Sequence, residues 1–316
     1  MRKHFIWFSG LALLLLGCGG VRFIASPTPT PAPTWTGTPL PFPTETATVA
    51  PTASPTDTPT IPPSETPLPS FTPTLTAYLR GPGEVTIPIL LYHHIGISLQ
   101  GETTYYISPD AFDRQMNLLY QWGYRTISIE LLARAIKEGA ELPPRPVILT
   151  FDDGSETVYT TAMPIMQKYN FTGTAYIVYN YLWIPRYMDT DQVRELYAAG
   201  WEIGSHGLGH TSLTERPDRQ EDEIVQSRRQ LRSELDVPIL SFSYPFGVYN
   251  SDSLHYIHYA GYVAAVGLGE ETIQGDKNLF YLYRQPVRGT DDVKTFASLL
   301  PWQGDIENLP ALTVVP

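Results

Sequence analysis

The segment PVILTFDDG, residues 146–154, combines a strand pattern with two adjacent carboxylates. Its first six residues form a nearly continuous apolar run, which is typical of a strand covered on both faces in a parallel sheet. The run stops at Asp152, Asp153 and Gly154, a combination that is also common in plain polar turns. The segment therefore predicts a buried parallel strand that ends in two acids, and a turn without further function remains the alternative.

The same alternation of strand and helix patterns continues on both sides of this segment. Apolar runs predict further strands at residues 87–92, 126–129, 173–179, 201–204, 239–244 and 262–266. Helical spacing, N-cap residues and terminating glycines predict helices at residues 109–122, 131–137, 156–169, 190–199, 218–235 and 251–260. Repeated β/α units with helix-length crossovers predict an α/β fold with a parallel sheet, and so many units favour a barrel.

A second polar cluster follows the strand predicted at residues 201–204. The sequence WEIGSHGLGH, residues 201–210, places His206 and His210 four residues apart. A helical turn would bring both rings to one face, although Gly207 and Gly209 predict an irregular conformation. Two imidazoles and one carboxylate are a common ligand set for a catalytic divalent metal with open positions.

The histidine pair and the acidic pair are expected to meet, because the carboxyl ends of barrel strands carry the active site. Neighbouring residues of an extended segment point to opposite sides. Asp152 and Asp153 are therefore expected to do different jobs, one binding metal and the other remaining free for proton transfer.

Three segments together resemble the successive motifs of the polysaccharide deacetylase family. They are TFDDG at residues 150–154, SHGLGHT at 205–211 and SYPFG at 243–247, and the likeness extends over roughly residues 87–288. The family fold is a deformed (β/α) barrel, and its metal-dependent enzymes remove N- or O-acetyl groups from sugars. The resemblance therefore implies a metal-dependent hydrolase that acts on an acetylated polysaccharide.

The resemblance also implies a role for individual residues. Asp152 corresponds to the general base, and Asp153 to the metal ligand that His206 and His210 complete. The backbone N–H of Phe246 corresponds to the donor that stabilises the oxyanion. The implied cofactor is a divalent metal, usually zinc in this family and sometimes cobalt or nickel.

The general acid departs from the broad family pattern. A Leu-x-His motif is missing, and the only histidines after the metal-binding pair are His255 and His258, which are expected on a helix surface. Instead, LYHHI at residues 91–95 is similar to the opening of the exported poly-N-acetylglucosamine deacetylase subgroup. That similarity implies His93 as the acid and His94 as a packing neighbour, with a structural core histidine as the alternative.

The third motif departs as well. Many relatives carry Arg-Pro-Pro-Tyr there, and the arginine tethers the catalytic base, whereas Ser243 occupies its place here. Arg284 and Arg288 are candidates for the missing positive charge. Ion pairs of little energetic value at the rim are the alternative for both.

The N-terminus predicts export. Arg2 and Lys3 precede an apolar run at residues 5–16, and the sequence LLGC ends at Cys18. This pattern resembles a lipoprotein signal peptide covering residues 1–17, after which Cys18 is lipidated. The run is shorter than the roughly 20 residues of a spanning helix. An uncleaved anchor or an ordinary signal remains possible, but the prediction is lipid anchoring to the outer face of a bacterial membrane.

Composition divides the remainder of the 316 residues. Between residues 26 and 82 the chain is mostly Pro and Thr, which cannot bury enough surface to offset its ordering entropy. We therefore predict a disordered linker at residues 18–82 and one catalytic domain at residues 83–316, expected to be a monomer. The net charge of −11 argues against a nucleic-acid partner.

The most specific function predicted is N-deacetylation of an N-acetylglucosamine-containing envelope polymer. The alternatives are O-acetyl xylan esterase action, peptidoglycan deacetylation, and a surface carbohydrate-binding protein that keeps the fold without turnover. The absent Leu-x-His motif and Ser243 support the last of these, whereas the complete set of presumed ligands argues against it.

Overall fold

A curled sheet of eight parallel strands organises the computed structural model, which describes residues 81–98 and 101–306. The predicted signal peptide, Cys18 and nearly all of the predicted linker lie outside the described residues. The strands are β1 (Val85–Thr86), β2 (Ile89–Tyr92), β3 (His94–Ile95), β4 (Tyr106–Ile107), β5 (Arg125–Thr126), β6 (Pro146–Phe151), β7 (Thr174–Ile177), β8 (Glu202–Ser205), β9 (Ser241–Ser243), β10 (Ala264–Val266), β11 (Ile273–Gln274) and β12 (Gln285–Pro286).

Helices follow most strands of the sheet, and most of them cover its outer face. They are α1 (Pro109–Gln121), α2 (Ile129–Glu138), α3 (Met163–Gln167), α4 (Thr190–Ala198), α5 (Ser227–Leu235), α6 (Ser251–Ala260) and α7 (Val293–Ser298). Ser108, Ser128, Asp189 and Asn250 cap helix N-termini with their side chains, as these residue types do in general. In the part of the chain that the structure describes, no helix is long and apolar enough to cross a membrane.

The strand order is β10-β9-β8-β7-β6-β2-β12, and β5 pairs with the beginning of β6. All of these pairings are parallel. The segment before β12 also bridges back to β10 through Val266 and Leu282, so the two ends of the sheet approach each other. The predicted α/β fold with a deformed (β/α) barrel is confirmed.

Strand β6 occupies the middle of the sheet and has the predicted bounds. All six of its residues are buried, and alternate side chains enter two different apolar clusters. Leu149 and Phe151 pack with the outer helices, whereas Ile148 packs with Tyr176 and Leu282. This division follows from the two-residue period of a strand that is covered on both faces.

One predicted strand was placed wrongly, and two predicted helices contain π-helical turns. The strand expected at residues 126–129 is only Arg125–Thr126, because Ser128 caps α2. The helix expected at residues 156–169 begins at residue 156 as predicted, contains a π-helical turn, Val158–Ala162, and ends with α3. Pro164 has no N–H to donate into a regular α-helical ladder, and it lies just after this turn. The helix expected at residues 218–235 likewise contains a π-helical turn, Asp222–Gln226, before α5.

Candidate metal centre

Three side chains from two loops converge at the carboxyl end of the sheet, and β7 separates the two strands that these loops follow. Asp153 follows β6, and His206 and His210 follow β8. Asp153 Oδ1 lies 3.6 Å from His206 Nε2 and 3.5 Å from His210 Nε2. The candidate ligand atoms of the three residues all lie within 4.8 Å of one another. The structure therefore brings together the three residues that the sequence predicted as metal ligands.

The chemistry of these atoms fits a divalent cation. Asp153 Oδ1 is buried and accepts no hydrogen bond. His206 Nδ1 donates to the Ser243 carbonyl at 2.8 Å, so its Nε2 presents a lone pair toward Asp153. Burial lowers the pKa of His206 to about 3 and lowers that of His210 as well, which keeps both rings neutral. Two neutral imidazoles and one carboxylate suit zinc or a similar metal.

The backbone of these loops is irregular. Asp153 has a φ of 70° and His210 a φ of 59°, both in the left-handed region, and Gly207 between the histidines has a φ of 92°. No helical turn joins the two histidines, as the intervening glycines indicated. The expectation that the two aspartates point to opposite sides was wrong, because Asp152 Oδ2 and Asp153 Oδ1 each lie 3.6 Å from His206 Nε2.

The two aspartates nevertheless have different partners. Arg284 binds Asp152 in a bidentate manner, with Nη1 donating to Oδ1 and Nη2 to Oδ2, each at 2.7 Å. Ser243 Oγ also donates to Asp152 Oδ2, at 3.1 Å. Burial alone would raise the pKa of Asp152, but the Arg284 guanidinium outweighs it and holds that pKa below its ordinary value. Burial and the neighbouring Asp152 charge raise the pKa of Asp153 to about 6.

Arg284 is itself only 1% exposed, and its donors are used. Besides Asp152, it donates to Thr150 Oγ1 at 3.2 Å, Ser243 Oγ at 2.9 Å and the Gly267 carbonyl at 3.0 Å. The alternative candidate, Arg288, is exposed, and its backbone N–H binds Asp291. The sequence analysis missed Thr150 as an arginine partner. The sequence did contain a clue to this contact, because Thr150 places a hydroxyl in an otherwise apolar buried strand, and a buried hydroxyl requires a hydrogen-bond partner.

The two histidines after β2 differ in their surroundings. His93 is half-buried against the Tyr105 ring, with a centroid separation of 4.8 Å. Asp152 N donates to the carbonyl of Tyr92, the residue before His93, at 3.0 Å. A positive charge on His93 would lower the pKa of both aspartates. His94 Nδ1 instead lies 2.8 Å from Ser155 Oγ, and its ring stacks on another tyrosine. His93 is thus the histidine near the candidate metal centre, and His94 is a packing neighbour.

The other residues singled out in the sequence are Phe246, His255 and His258, and all three are exposed. Phe246 follows β9 with a φ of 60°, and its ring packs against His210 at a centroid distance of 4.6 Å. The Phe246 side chain is 59% exposed, so it forms part of the rim. His255 and His258 are exposed on α6, as expected. The site is consequently a buried polar centre with an aromatic rim.

Comparisons with known proteins agree with this geometry. The family profile described as "Polysaccharide deacetylase" matches residues 139–265, which contain both aspartates and both candidate histidine ligands. The poly-beta-1,6-N-acetyl-D-glucosamine N-deacetylase of Staphylococcus aureus is 25% identical over 195 residues, which cover 57% of this chain and 67% of that protein. A Bacillus subtilis protein named as a polysaccharide deacetylase, YxkH, is 25% identical over 212 residues. The alignment covers 66% of this chain and 74% of YxkH.

A solved structure is similar over a comparable length. The Streptococcus pyogenes deacetylase PplD in complex with acetate superposes with a TM-score of 0.64 and 26% identity. The alignment covers 68% of this chain and 98% of that one. His93 and Arg284 lie outside the residues that the family profile matches.

Replacing Arg284 should reveal how strongly the buried ion pair is coupled to folding. We expect Arg284→Met to lower the free energy of unfolding by about 3–5 kcal/mol, because Asp152 would keep a buried charge without a partner. Denaturant unfolding measures this, and the exposed Arg288→Met is the matched control, expected to stay within about 0.5 kcal/mol. Equal stability of the two variants would contradict the interpretation, whereas partial recovery in Arg284→Met/Asp152→Asn would support it.

His94 should make stability depend on pH. Burial and the neighbouring His93 lower the pKa of His94 to about 4, whereas an unfolded histidine titrates near about 6.5. Between these values the unfolded state binds a proton that the folded state does not, so stability rises with pH. The contribution is fully present above about pH 6.5 and is lost as pH falls toward 4.

Urea unfolding of His94→Gln between pH 4 and 7 tests this, and the slope of stability against pH should be shallower than in the wild type. The exposed His255→Gln serves as the control and should keep the wild-type slope. If His94→Gln has the same slope as the wild type, the lowered pKa of His94 does not contribute to the pH dependence of stability.

Proposed function

We propose that the chain is a metal-dependent hydrolase that removes N-acetyl groups from an N-acetylglucosamine-containing cell-surface polysaccharide. The match of residues 139–265 to the polysaccharide deacetylase profile and the likeness to a solved deacetylase structure support this proposal. The domain family implies a hydrolase and an acetylated polysaccharide substrate. One observation carries the catalytic part of the proposal. A two-histidine, one-carboxylate donor set lies beside a second carboxylate, Asp152, which forms a bidentate ion pair with Arg284.

Asp153, His206 and His210 would hold the cation, with zinc proposed first and cobalt or nickel as alternatives. A divalent cation bound there supplies Lewis-acid polarisation of the acetyl carbonyl. Asp152 accepts a proton from the attacking water. Its carboxylate is ionised at neutral pH and is fixed by Arg284 and Ser243, so its orientation is set before substrate arrives.

The remaining steps concern charge and the leaving group. The Phe246 backbone N–H is proposed to stabilise the oxyanion of the tetrahedral intermediate. His93 is proposed to donate a proton to the sugar amine as the C–N bond breaks, leaving acetate and a free amino group. Its position near both aspartates supports this role.

Two observations favour a poly-N-acetylglucosamine as the substrate. The Staphylococcus aureus relative is named for deacetylation of a poly-N-acetylglucosamine, and the Tyr92-His93 pair matches that subgroup in sequence. Acetylated xylan and peptidoglycan are the competing substrates. A carbohydrate-binding protein without turnover is the competing class.

Acetate release tests the function directly. We expect the zinc-loaded protein to release acetate from N-acetylglucosamine oligomers, and chelation to stop the reaction. Asp152→Asn should lower the rate by about 10²- to 10⁴-fold, because proton transfer is lost, whereas His255→Gln, on the exposed face of α6, should not. A panel with acetylated xylan and peptidoglycan identifies the substrate. Glycan binding by metal-loaded protein without acetate release from any member would instead establish the non-catalytic class.

We also propose that the protein is exported and held at the outer face of a bacterial membrane by a lipid on Cys18. The basic, apolar and LLGC pattern at residues 2–18 supports this. Fractionation of cells expressing Cys18→Ala tests it, and the variant should leave the membrane fraction that retains the wild type. Retention of Cys18→Ala in the membrane, at the wild-type level, would contradict lipid anchoring through this residue.

A further inference from the structure

A buried carboxylate outside the proposed mechanism holds the backbone between the two histidine ligands. Glu223 Oε2 accepts hydrogen bonds from Leu208 N at 2.8 Å and Gly209 N at 3.0 Å, and Oε1 lies 3.2 Å from Gly209 N. These amides belong to the segment that joins His206 to His210. An irregular turn lacks the internal hydrogen bonds of a helix, so its amides need acceptors from elsewhere.

The opposite side of the same segment is held as well. The Gly207 carbonyl accepts from Tyr179 N at 3.1 Å, and the Leu208 carbonyl accepts from Asn180 N at 2.9 Å. The backbone between the histidines is therefore fixed by amides from the loop after β7 on one side and by Glu223 on the other. Its conformation is set by these two neighbours.

The carboxylate is placed against the loop with little room to spare. Glu223 is 1% exposed. A Cβ atom at Gly207 would lie 2.5 Å from Glu223 Oε2, and Gly207 has a positive φ of 92°. Glycine is needed there both for its conformation and for the close approach of the acid.

The helix that carries Glu223 is distorted where it meets the loop. Residues 222–226 form a π-helical turn, a feature that often occurs at functional sites. Ser227 Oγ donates to the Glu223 carbonyl at 2.6 Å and lies 2.9 Å from Ser205 Oγ. The distorted turn is thus tied to the end of β8, immediately before His206.

The charges around the site also favour a bound dication. Among residues 81–98 and 101–306, no lysine or arginine forms an ion pair with Glu223. Asp152, Asp153 and Glu223 bring three carboxylates to this part of the chain, and Arg284 pairs with Asp152. A divalent cation at the three-ligand site would add positive charge beside the other two acids.

We propose that Glu223 is a positioning residue of the metal centre: it does not bind the metal, but it fixes the Gly207–Gly209 backbone so that His206 and His210 direct Nε2 to one point. The inference rests on the metal site of the proposed function. It predicts that metal affinity depends on a side chain that is absent from the ligand set.

Metal affinity of the full chain tests the proposal without reference to turnover. Zn²⁺ and Co²⁺ dissociation constants are measured by competition with a chromophoric chelator for the wild type and Glu223→Gln. We expect the variant to bind about 10- to 100-fold more weakly, the usual effect of losing an outer partner of a metal ligand. The visible spectrum of bound Co²⁺ should also change, because the histidine geometry is disturbed.

Gln220 offers a matched control in the same helical region. It is fully buried, and its side chain donates to the Leu213 carbonyl and to Asn250 rather than to the histidine loop. We expect Gln220→Leu to lower thermal stability while leaving metal affinity within about 2-fold of the wild type, as for independent sites. A purely structural role for Glu223 would give both variants the same unchanged metal affinity.

Wild-type affinity and the Co²⁺ spectrum in a folded Glu223→Gln protein would overturn the proposal. If Glu223→Gln does not fold, two other variants test the proposal. Glu223→Asp shortens the acidic side chain, and Gly207→Ala adds a methyl group that displaces the Glu223 carboxylate. Both should weaken metal binding, and wild-type affinity in either would overturn the proposal. Metal binding by the wild type without acetate release would instead refute the proposed reaction and leave the role of Glu223 intact.

Discussion

The buried ion pair between Arg284 and Asp152 is the interaction on which the site depends. Removing both charges from water is costly, and attraction repays the cost only when the remaining donors and acceptors are satisfied. Here the guanidinium also reaches Thr150, Ser243 and the Gly267 carbonyl. These partners belong to β6, β9 and the end of β10, whereas Arg284 directly precedes β12. The pair therefore joins strands from across the curled sheet, and the same bonds that hold the barrel together orient the proposed base.

The arginine also separates the properties of two adjacent carboxylates. Asp152 is the more buried of the two, yet its pKa lies below the ordinary value because Arg284 stabilises its charge. Asp153 has no such partner, and burial raises its pKa to about 6. Its buried Oδ1 accepts no hydrogen bond, which leaves it available to a cation. Different roles for neighbouring acids thus follow from partners supplied by distant parts of the chain, and not from opposite directions of their side chains.

The sequence predicted the bounds of those strands and helices that are determined by neighbouring residues in the chain. Strand β6 and helix α6 have the predicted bounds, because a continuous apolar run defines one and Asn250 and Gly261 delimit the other. The sequence did not reveal whether Arg284 or Arg288 pairs with Asp152. The two arginines lie on opposite sides of the two-residue strand β12, and the partner is decided by the way β12 pairs with β2. The left-handed backbone conformation of Asp153 could not be predicted from the sequence either. A non-glycine residue adopts it only when surrounding contacts stabilise it, and those contacts come from other segments.

The histidine loop shows why ligand spacing alone does not determine a metal site. The backbone amides between His206 and His210 directly follow β8, and buried amides of this kind need acceptors from elsewhere in the chain. Glu223 accepts from two of these amides, and the loop after β7 donates to the carbonyls of the same segment. The positions of the two imidazoles consequently depend on a helix and a loop that contribute no ligand. The same reasoning applies to Asp152, whose orientation comes from Arg284, so both halves of the site are properties of the assembled barrel and not of the motifs that reveal them.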